Sequence, residues 1–215
     1  MGLVDRVFAA AYDRVLAGVE RAGLAATRST LLAGARGRVL EVGAGTGANL
    51  AAYPAGLDRL TLVEPSPAMR ARLAARVARA GDALPPVTIL DGRAEALPLP
   101  DAAFDTVVTT LVLCSVDDPG GAAAELARVL APGGRLLVIE HVAGHGRTAR
   151  LQRRLDPVWR RVTRGCRLTR DTRAHLASAG LDVTGLADAT LPGGGPTGPA
   201  IVGTARRSAT RQTPP

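Results

Sequence analysis

Three glycines at alternate positions, Gly43, Gly45 and Gly47, follow directly after the segment 38–42, which contains Val39, Leu40 and Val42. Aliphatic and β-branched residues of this kind favour a buried strand. The glycines allow a tight turn and let a ligand approach the backbone without a Cβ in the way. A helix predicted over residues 46–53 would direct its free N–H groups at that ligand. The pattern therefore predicts the part of an α/β domain that holds a nucleoside-containing cofactor.

The residues around the turn favour S-adenosylmethionine (SAM) over NAD. Gly43-x-Gly45-x-x-Ala48 also satisfies the dinucleotide fingerprint, which alone discriminates little. However, Glu41 stands two residues before the first glycine, where a carboxylate would meet the ammonium of an amino-acid cofactor but repel a pyrophosphate. Glu64, 19 residues after Gly45, is placed to accept both ribose hydroxyls of an adenosine. We therefore predict SAM as the cofactor, with NAD as the alternative.

Composition predicts one globular domain. The chain has 215 residues, of which 47% are hydrophobic, enough for a full core. It contains no run of 18 apolar residues and no signal-peptide pattern, so we expect neither a membrane span nor export. Two cysteines do not make a disulfide framework, and we expect a reducing, cytoplasmic setting.

Strands alternate with helices along most of the chain, which predicts a parallel sheet with helices on both faces. Two terminal strands would complete a seven-stranded sheet with an antiparallel edge. The predicted helices cover residues 3–24, 26–34, 46–53, 67–80, 121–130, 147–166 and 171–179, and the predicted strands cover 37–42, 59–64, 87–90, 104–110, 135–140, 181–186 and 200–205.

Positive charge is concentrated in residues 147–173, which hold ten Arg against two Asp, whereas the whole chain has a net charge of +8. The predicted helix in this segment breaks at Asp156-Pro157, where the aspartate would cap the second piece. Its apolar residues share one face, which we expect to turn inward as a lid over an acceptor pocket. The arginines outside predict weak, salt-sensitive contact with anionic membrane surfaces. The apolar face comprises Leu151, Leu155, Val158, Trp159, Val162 and Cys166.

Two blocks, 91–108 and 125–136, resemble the type 11 group of class I SAM-dependent methyltransferases. The resemblance implies a Rossmann-like sheet of seven strands and a turn after the third strand that contacts adenine, at Arg93 and Ala94. Arg93 stands where an acidic residue often binds the adenine amine in that group. Because a guanidinium only donates, the resemblance leaves adenine to backbone groups around Ala94 and to stacking.

A narrower resemblance covers most of the chain, to the methyltransferase-like thiol S-methyltransferases of animals and their bacterial relatives. It implies a thiol acceptor, with Cys114, Trp159 and Cys166 around its pocket. Methyl transfer from a sulfonium needs no enzyme nucleophile, so Cys114 is expected to line the pocket as a packed thiol. The resemblance also implies cofactor contacts by Tyr12, Asn49 and Leu111. The matching pieces are 7–13, 47–50, 53–54, 110–116, 140–142, 155–159 and 165–170.

His141 follows the fifth predicted strand, at the edge where open α/β sheets bind ligands. Imidazole titrates near neutrality, which makes His141 the candidate base for an acceptor. N-methylation of a phospholipid headgroup, O- or C-methylation of a secondary metabolite, and SAM binding without catalysis remain alternatives. A nucleic-acid substrate is disfavoured because Leu111–Cys114 lacks the Asn/Asp-Pro-Pro-aromatic motif and aromatics make up only 2% of residues. No zinc-type ligand spacing is present in the sequence.

These observations predict a single methyltransferase domain over residues 1–206. Within it, residues 1–34 form N-terminal helices and residues 147–180 form the lid. Residues 207–215 are expected to be a disordered tail.

Overall fold

The computed structural model of the protein describes residue 14 and residues 16–163, 165–193 and 195–207. Tyr12, most of the first predicted helix and the tail after Arg207 lie outside the described residues. Of that first helix, residues 16–19 are helical and Glu20–Leu24 form a π-helical turn.

One mixed sheet runs through the described part of the chain. Its order is β3-β2-β1-β4-β5-β8-β6 when strands are numbered along the chain, and β7 pairs with β8. The first five strands are parallel, and β8 is antiparallel to β5, which confirms the doubly wound α/β fold. Ligands bind such sheets at the carboxyl edge where the strand order reverses, here between β1 and β4. The strands are β1 Arg38–Val42, β2 Arg59–Val63, β3 Val87–Leu90, β4 Phe104–Thr110, β5 Leu130–His141, β6 Leu181–Asp182, β7 Leu186–Thr190 and β8 Pro199–Arg207.

The sheet has eight strands because the strand predicted over 181–186 is divided into β6 and β7. Asp182 Oδ1 accepts hydrogen bonds from the backbone N–H and the hydroxyl of Thr184, which bends the chain between the two strands. Gly203 in β8 has φ +146°, and a Cβ there would lie 2.2 Å from Gly185 O. The close approach of these backbones therefore requires glycine at position 203.

Side chains at the starts of three helices cap them. The Ser66 hydroxyl accepts from Met69 N (3.4 Å), and the Asp118 carboxylate accepts from Gly121 N (3.0 Å). Asp171 caps the last helix in the same way. The helices are α1 Ala25–Leu32, α2 Pro67–Ala80, α3 Pro119–Val129, α4 Gly146–Val162 and α5 Thr172–Ser178.

Apolar side chains cover both faces of the sheet. In β1, Val39 and Leu40 are fully buried in two different clusters, because successive residues of a strand point to opposite faces. In β4, Val107 and Val108 divide in the same way. Burial on both faces fixes the strands and therefore the loops at their carboxyl ends.

The helix predicted over 46–53 is wrong. Residues 45–49 are turns, and Leu50–Ala52 form one turn of 3₁₀ helix. Gly47 has φ +89°, outside the helical region, and Tyr53 is extended before Pro54. Backbone groups at the cofactor edge therefore come from a turn and not from a helix N-terminus.

The predicted orientation and break of the basic helix are also wrong. α4 runs unbroken with Pro157 inside it, and Asp156 accepts from Leu168 N (2.7 Å) instead of capping a second piece. Gln152 faces the protein: its side chain accepts from Gly144 N (2.7 Å) and donates to two backbone carbonyls. These polar anchors turn the apolar face outward, and its exposed residues are Leu151 (44%), Leu155 (37%), Val158 (63%) and Val162 (69%).

The predicted tail begins too early, because Arg207 belongs to β8 and its side chain donates to the carbonyls of Arg128 and Leu130. Within the described ranges, every helix is too short or too polar to cross a membrane.

Candidate active site

A cleft of ≈ 530 Å³ opens at the carboxyl edge of the sheet, a volume typical of small-molecule sites. Its walls come from the glycine turn, the end of β2, the turn after β3, the loop after β4 and the segment after α4. Tyr12 lies outside the described residues, so its predicted contact stays a prediction. The predicted site residues that line the cleft are Gly43, Gly45, Glu64, Arg93, Ala94 and Leu111.

The three glycines of the turn serve different purposes, although all have positive φ. A Cβ at Gly43 would lie 2.5 Å from Val112 Cγ2, and one at Gly47 would lie 2.8 Å from two leucine side chains. A Cβ at Gly45 would meet only Met69 Sδ, at 3.9 Å. Packing therefore requires glycine at 43 and 47, whereas Gly45 leaves open a space that faces the cleft.

Glu64 lies directly after β2 and is 5% exposed. Its Oε2 accepts from Gly45 N (2.9 Å) and its Oε1 accepts from Ser66 N (2.8 Å). Burial raises the pKa of Glu64, and the two backbone hydrogen bonds oppose that shift. The carboxylate thus joins the glycine turn to the start of α2 and keeps lone pairs available for hydroxyl donors on a ligand.

Glu41 lies beneath the glycine turn and not in the cleft wall. It is 2% exposed, and its two oxygens accept from Asn49 Nδ2 (2.8 Å) and the Tyr53 hydroxyl (2.7 Å). Burial raises the pKa of Glu41 to about 7, against the effect of these two donors. Glu41 does not line the cleft, and its predicted pairing with the cofactor ammonium stays a prediction.

Asn49 is also buried and does not line the cleft. Besides Glu41, its amide donates to Thr110 Oγ1 (2.9 Å) and accepts from the guanidinium of Arg28 (2.8 Å). Arg28 in turn pairs with Glu20 (3.1 Å). This buried network, which we call the Glu41 network, ties the N-terminal segment to β1 and β4. Sequence reasoning missed Arg28, whose only signal is a charged residue within an apolar helix.

Arg93 and Ala94 lie in the turn after β3, at the end of the cleft predicted to hold adenine. The Arg93 guanidinium donates to Asp117 Oδ2 (2.8 Å) and Glu95 Oε1 (3.3 Å), which raises its pKa. The same Glu95 oxygen accepts from Asp117 N (3.0 Å). Glu95 lines the cleft with its carboxylate next to Arg93, and it is a residue that sequence reasoning did not select.

A buried glutamate also supports the loop after β4. Glu140 has no exposed surface, and it accepts from Val112 N (2.9 Å) and Cys114 N (3.2 Å). Burial raises the pKa of Glu140 to about 7, and these backbone donors oppose the shift. Leu111 in this loop has φ +59°, an uncommon conformation for a side chain of its size, and it lines the cleft. Strain of this kind accumulates where a loop must hold a set shape.

Cys114, His141 and Cys166 come together beside this loop, and we call them the sulfur–imidazole cluster. Cys166 Sγ lies 3.7 Å from Cys114 Sγ and 3.5 Å from His141 Nδ1, and both cysteines are free. A hydrogen bond from Cys114 lowers the pKa of Cys166 despite burial, and His141 adds to the shift. The pKa of Cys114 is raised by the same shared proton and by burial. Cys166 is therefore the more acidic of the two thiols.

The segment 165–170 is fastened to the loop after β4. Arg167 N donates to Cys114 O (2.8 Å), and the Arg170 side chain donates to Val116 O (2.6 Å). Gly165 has φ +125°, and a Cβ there would lie 2.8 Å from Ser115 O. This close packing brings Cys166, which is distant in sequence, to the cluster.

Trp159 lies at the end of α4 and is partly buried. Its indole N–H is buried near Cys166 without the geometry of a full hydrogen bond, and it contributes weakly to the lowered pKa of that thiol. Trp159, Cys114 and Cys166 do not line the main cleft, but Thr163 and Gly165 beside them do. The three predicted acceptor residues therefore lie near one another beside the cleft, and their contact with an acceptor stays a prediction.

Comparison with known proteins agrees with this geometry. Residues 40–138 match the family model described as "Methyltransferase domain", of the type 11 group. A solved structure of a SAM-dependent methyltransferase from Thermotoga maritima, described as a possible histamine N-methyltransferase, has a TM-score of 0.67 over 97% of this chain and 100% of that chain. The two share 21% identity, a level that supports the fold alone.

Curated relatives are more similar in sequence. Thiol S-methyltransferase TMT1B of Homo sapiens is 40% identical over 152 residues, which are 69% of this chain and 62% of the human protein. Phosphatidylethanolamine N-methyltransferase of Cereibacter sphaeroides is 39% identical over 108 residues, 50% of this chain and 52% of the relative. The chain thus spans less than two thirds of the length of these relatives.

The sheet, the glycine turn with Glu64 and the family match define a class I SAM-dependent methyltransferase domain. The residues present fit SAM, because Gly45 leaves a cradle that a Cβ would fill and Glu64 offers acceptors beside it. Residues 40–138 match a methyltransferase domain of the type 11 group, and the cofactor that such a domain implies is SAM.

Proposed function

We propose that the protein methylates the sulfur of a small thiol. The observation that carries the proposal is the similarity to thiol S-methyltransferases, supported by hydrogen bonds that join the pieces of the sequence resemblance, 110–116, 140–142, 155–159 and 165–170. These pieces are separated in sequence, and their contacts bring them beside the part of the cleft wall that Ser115 and Gly165 form.

SAM supplies a methyl carbon on a positively charged sulfur. The methyl donor is therefore already activated. The protein must hold the acceptor in line with that carbon, and good orientation is worth about 7–11 kcal/mol of barrier. The strained Leu111 and the backbone that Glu140 holds provide fixed walls for this purpose. A thiol reacts as its thiolate, and His141, which already lowers the pKa of the neighbouring Cys166, favours that form.

The proposal is tested by incubating the protein with labelled SAM and a panel of thiols, amines, phenols and phospholipids. We expect labelled thioether from apolar thiols. Label transferred to amines or phenols but not to thiols would reject the thiol and keep the methyltransferase. SAM binding without any turnover would favour a non-catalytic role.

Trp159→Ala is the matching variant on the acceptor side. Loss of a buried aromatic contact typically costs more than 1 kcal/mol, so the KM for the thiol should rise about tenfold. The KM for SAM should change much less, because Trp159 does not line the main cleft. Trp159→Phe keeps an aromatic ring and serves as the control.

A second proposal concerns the outer face of α4, which we infer to contact anionic membrane surfaces. The exposed Leu151, Leu155, Val158 and Val162 lie among the arginines of the segment 147–173. Apolar side chains on a basic helix favour shallow binding at the interface of anionic lipid. Each basic residue near such a surface contributes about 1 kcal/mol.

Co-sedimentation with vesicles tests this contact. Binding should require anionic lipid and fall at high salt, because the Debye length shrinks from about 10 Å at 0.1 M to about 3 Å at 1 M. Replacing Arg153, Arg154, Arg160 and Arg161 by Gln should remove it and leave turnover of a soluble thiol nearly unchanged. A wild-type protein that ignores anionic vesicles at low salt would reject the proposal.

We also propose a reducing compartment, the cytoplasm, as the place of work. Cys114 and Cys166 are free with their sulfurs 3.7 Å apart, a pair that an oxidising compartment would tend to join. The test is to denature the cells without added reductant and to label free thiols at once. Both cysteines of the protein should be labelled.

A further inference from the structure

Two of the three donor pairs in the sulfur–imidazole cluster have the spacing of a tetrahedral metal site. In zinc sites the Zn–S distance is about 2.3 Å and the Zn–N distance about 2.0–2.1 Å, which places two sulfurs about 3.8 Å apart and a sulfur and a nitrogen about 3.6 Å apart at tetrahedral angles. The sulfurs of Cys114 and Cys166 are 3.7 Å apart, and Cys166 Sγ lies 3.5 Å from His141 Nδ1. All three donor atoms lie within 4.8 Å of one another. A zinc ion could be bound with little movement of these side chains.

We propose that Cys114, His141 and Cys166 bind a zinc ion whose fourth position is open to the sulfur of the thiol acceptor. Two thiolates and an imidazole are ligands that favour zinc over hard cations such as Mg²⁺. Structural zinc sites are closed by four protein ligands, whereas catalytic sites use three and leave one position free. In the part of the chain that the structure describes, the group consists of these three residues.

The backbone around the cluster is fixed before any metal binds. Cys114 donates its N–H to the buried Glu140, and its carbonyl accepts from Arg167 N, next to Cys166. His141 ends β5 and pairs with Ala200 of β8. Three elements that are distant in sequence therefore hold the donors in place, as metal sites on rigid scaffolds require.

The cluster borders the cleft. Ser115 and Gly165 line the cleft, and each is the chain neighbour of a cluster cysteine. A thiol bound at the open position would thus lie at the acceptor end of the site. This assignment of the open position rests on the proposed thiol acceptor, whereas binding of the metal does not.

The chemistry balances without a further reactant. The thiol loses its proton to solvent on coordination and stays bound as a thiolate. A lone pair of that sulfur forms the new bond to the methyl carbon, and the electron pair of the broken carbon–sulfur bond remains on the donor sulfur, which becomes neutral. The product thioether carries no charge and is a weaker ligand, so it leaves the metal. In this arrangement His141 is a ligand and does not act as a free base.

The first experiment measures zinc in the purified, reduced full chain. We expect about one zinc ion per chain, and at least about tenfold lower occupancy in Cys166→Ser and in His141→Asn under competition with a chelator. His175→Gln, a histidine variant outside the cluster, should retain the wild-type zinc content. Circular dichroism establishes that each variant is folded. Wild-type protein that binds no more zinc than the folded His141→Asn variant would overturn the site.

The second experiment separates the site from its proposed substrate. Cobalt(II) replaces zinc, and the thiolate-to-cobalt absorption is recorded before and after adding a thiol that the labelled-SAM assay shows to be a substrate. An increase indicates a new sulfur ligand and supports the open position as the thiol site. No change with the cobalt still bound would overturn the substrate role. If the protein binds the metal but methylates no thiol, the proposed thiol acceptor is rejected and the proposed metal site is retained.

Discussion

Glu41 at the end of β1 and Glu140 at the end of β5 are both buried, and burial raises the pKa of each to about 7. Glu41 is bonded by two side chains, Asn49 Nδ2 and the Tyr53 hydroxyl. Glu140 is bonded by backbone N–H groups of the loop after β4. Glu41 is thus held by specific side chains on the cofactor side, whereas Glu140 holds only the loop backbone on the proposed acceptor side.

Support by side chains and support of the backbone suit different kinds of ligand. A turn held by the Glu41 network depends on the identity of several residues and is suited to one invariable ligand. A loop held through its N–H groups leaves the side chains of Leu111 and Cys114 free to meet an acceptor or a metal. The donors of the sulfur–imidazole cluster are accordingly found on the second side.

The largest expected effect comes from the turn itself. Gly45→Val should abolish SAM binding by calorimetry, because the new side chain enters the cleft, and should cost about 1–2 kcal/mol of stability for its positive φ. Gly47→Val should instead prevent folding, because a Cβ there already lies 2.8 Å from Leu50 and Leu73. SAM binding that survives in Gly45→Val would remove the cleft as the cofactor site.

Stability should fall as pH rises through the interval set by the two glutamates. With a folded pKa of about 7, Glu41 keeps its proton in the native state between pH 4.5 and 7, whereas the unfolded chain releases it. Between pH 4.5 and pH 7 the native state therefore binds more protons than the unfolded chain. The contribution of Glu41 to the free energy of unfolding is complete below pH 4.5, and about 3 kcal/mol of it is lost as the pH rises to about 7.

Urea unfolding at pH 5 and pH 8 measures this loss. Compared with wild type, Glu41→Gln should show a smaller drop in the free energy of unfolding between the two pH values. Glu140→Gln should behave alike if burial dominates at both ends of the sheet. Equal pH dependence in wild type and Glu41→Gln would show that Glu41 is already ionised at pH 5.

Glu64→Gln should weaken SAM binding about 10–100-fold, because hydrogen bonds to a charged acceptor are worth about 1.5–3 kcal/mol. Calorimetry with SAM gives the value directly. Asp82→Asn, an exposed carboxylate that does not line the cleft, is the control. An unchanged Kd in Glu64→Gln would argue that the ribose lies elsewhere.

The smallest effect is expected at Arg93. Its side chain is 60% exposed and that of its partner Asp117 is 87% exposed, and such pairs contribute about 0–1 kcal/mol. Arg93→Ala should therefore change SAM affinity less than about fivefold. A larger loss would assign the guanidinium a direct part in holding the adenine end.

Much of the cofactor side follows from sequence because it is local. The strand, the glycine turn and Glu64 lie within 27 residues, and each residue type has one clear physical reason to be there. The surroundings of Glu41 do not follow in the same way. Glu41 is contacted by Asn49 and Tyr53, which lie after the glycine turn. Arg28, from a helix that precedes β1, donates to Asn49.

The acceptor side shows a different limit. Hydrophobic periodicity located α4 but predicted that its apolar face points inward. In the structure, hydrogen bonds of Gln152 and Asp156 anchor the opposite face of the helix to the protein. The cluster does not show the short linear spacing of a zinc motif, because Cys114, His141 and Cys166 come from three separate segments of the chain. Only the packing of segment 165–170 on the loop after β4 reveals it.

The separate roles of Glu64 toward SAM and of Cys166 toward the thiol are tested most directly by following label from SAM into a thiol. Wild type, Glu64→Gln and Cys166→Ser are compared at varied concentrations of both substrates. Wild type should form the labelled thioether. Glu64→Gln should raise the KM for SAM and recover at high SAM, whereas Cys166→Ser should lower kcat/KM for the thiol with the Kd for SAM unchanged. A thiol rate that is unaffected in Cys166→Ser, or a KM for SAM that is unaffected in Glu64→Gln, would contradict this division of the cleft.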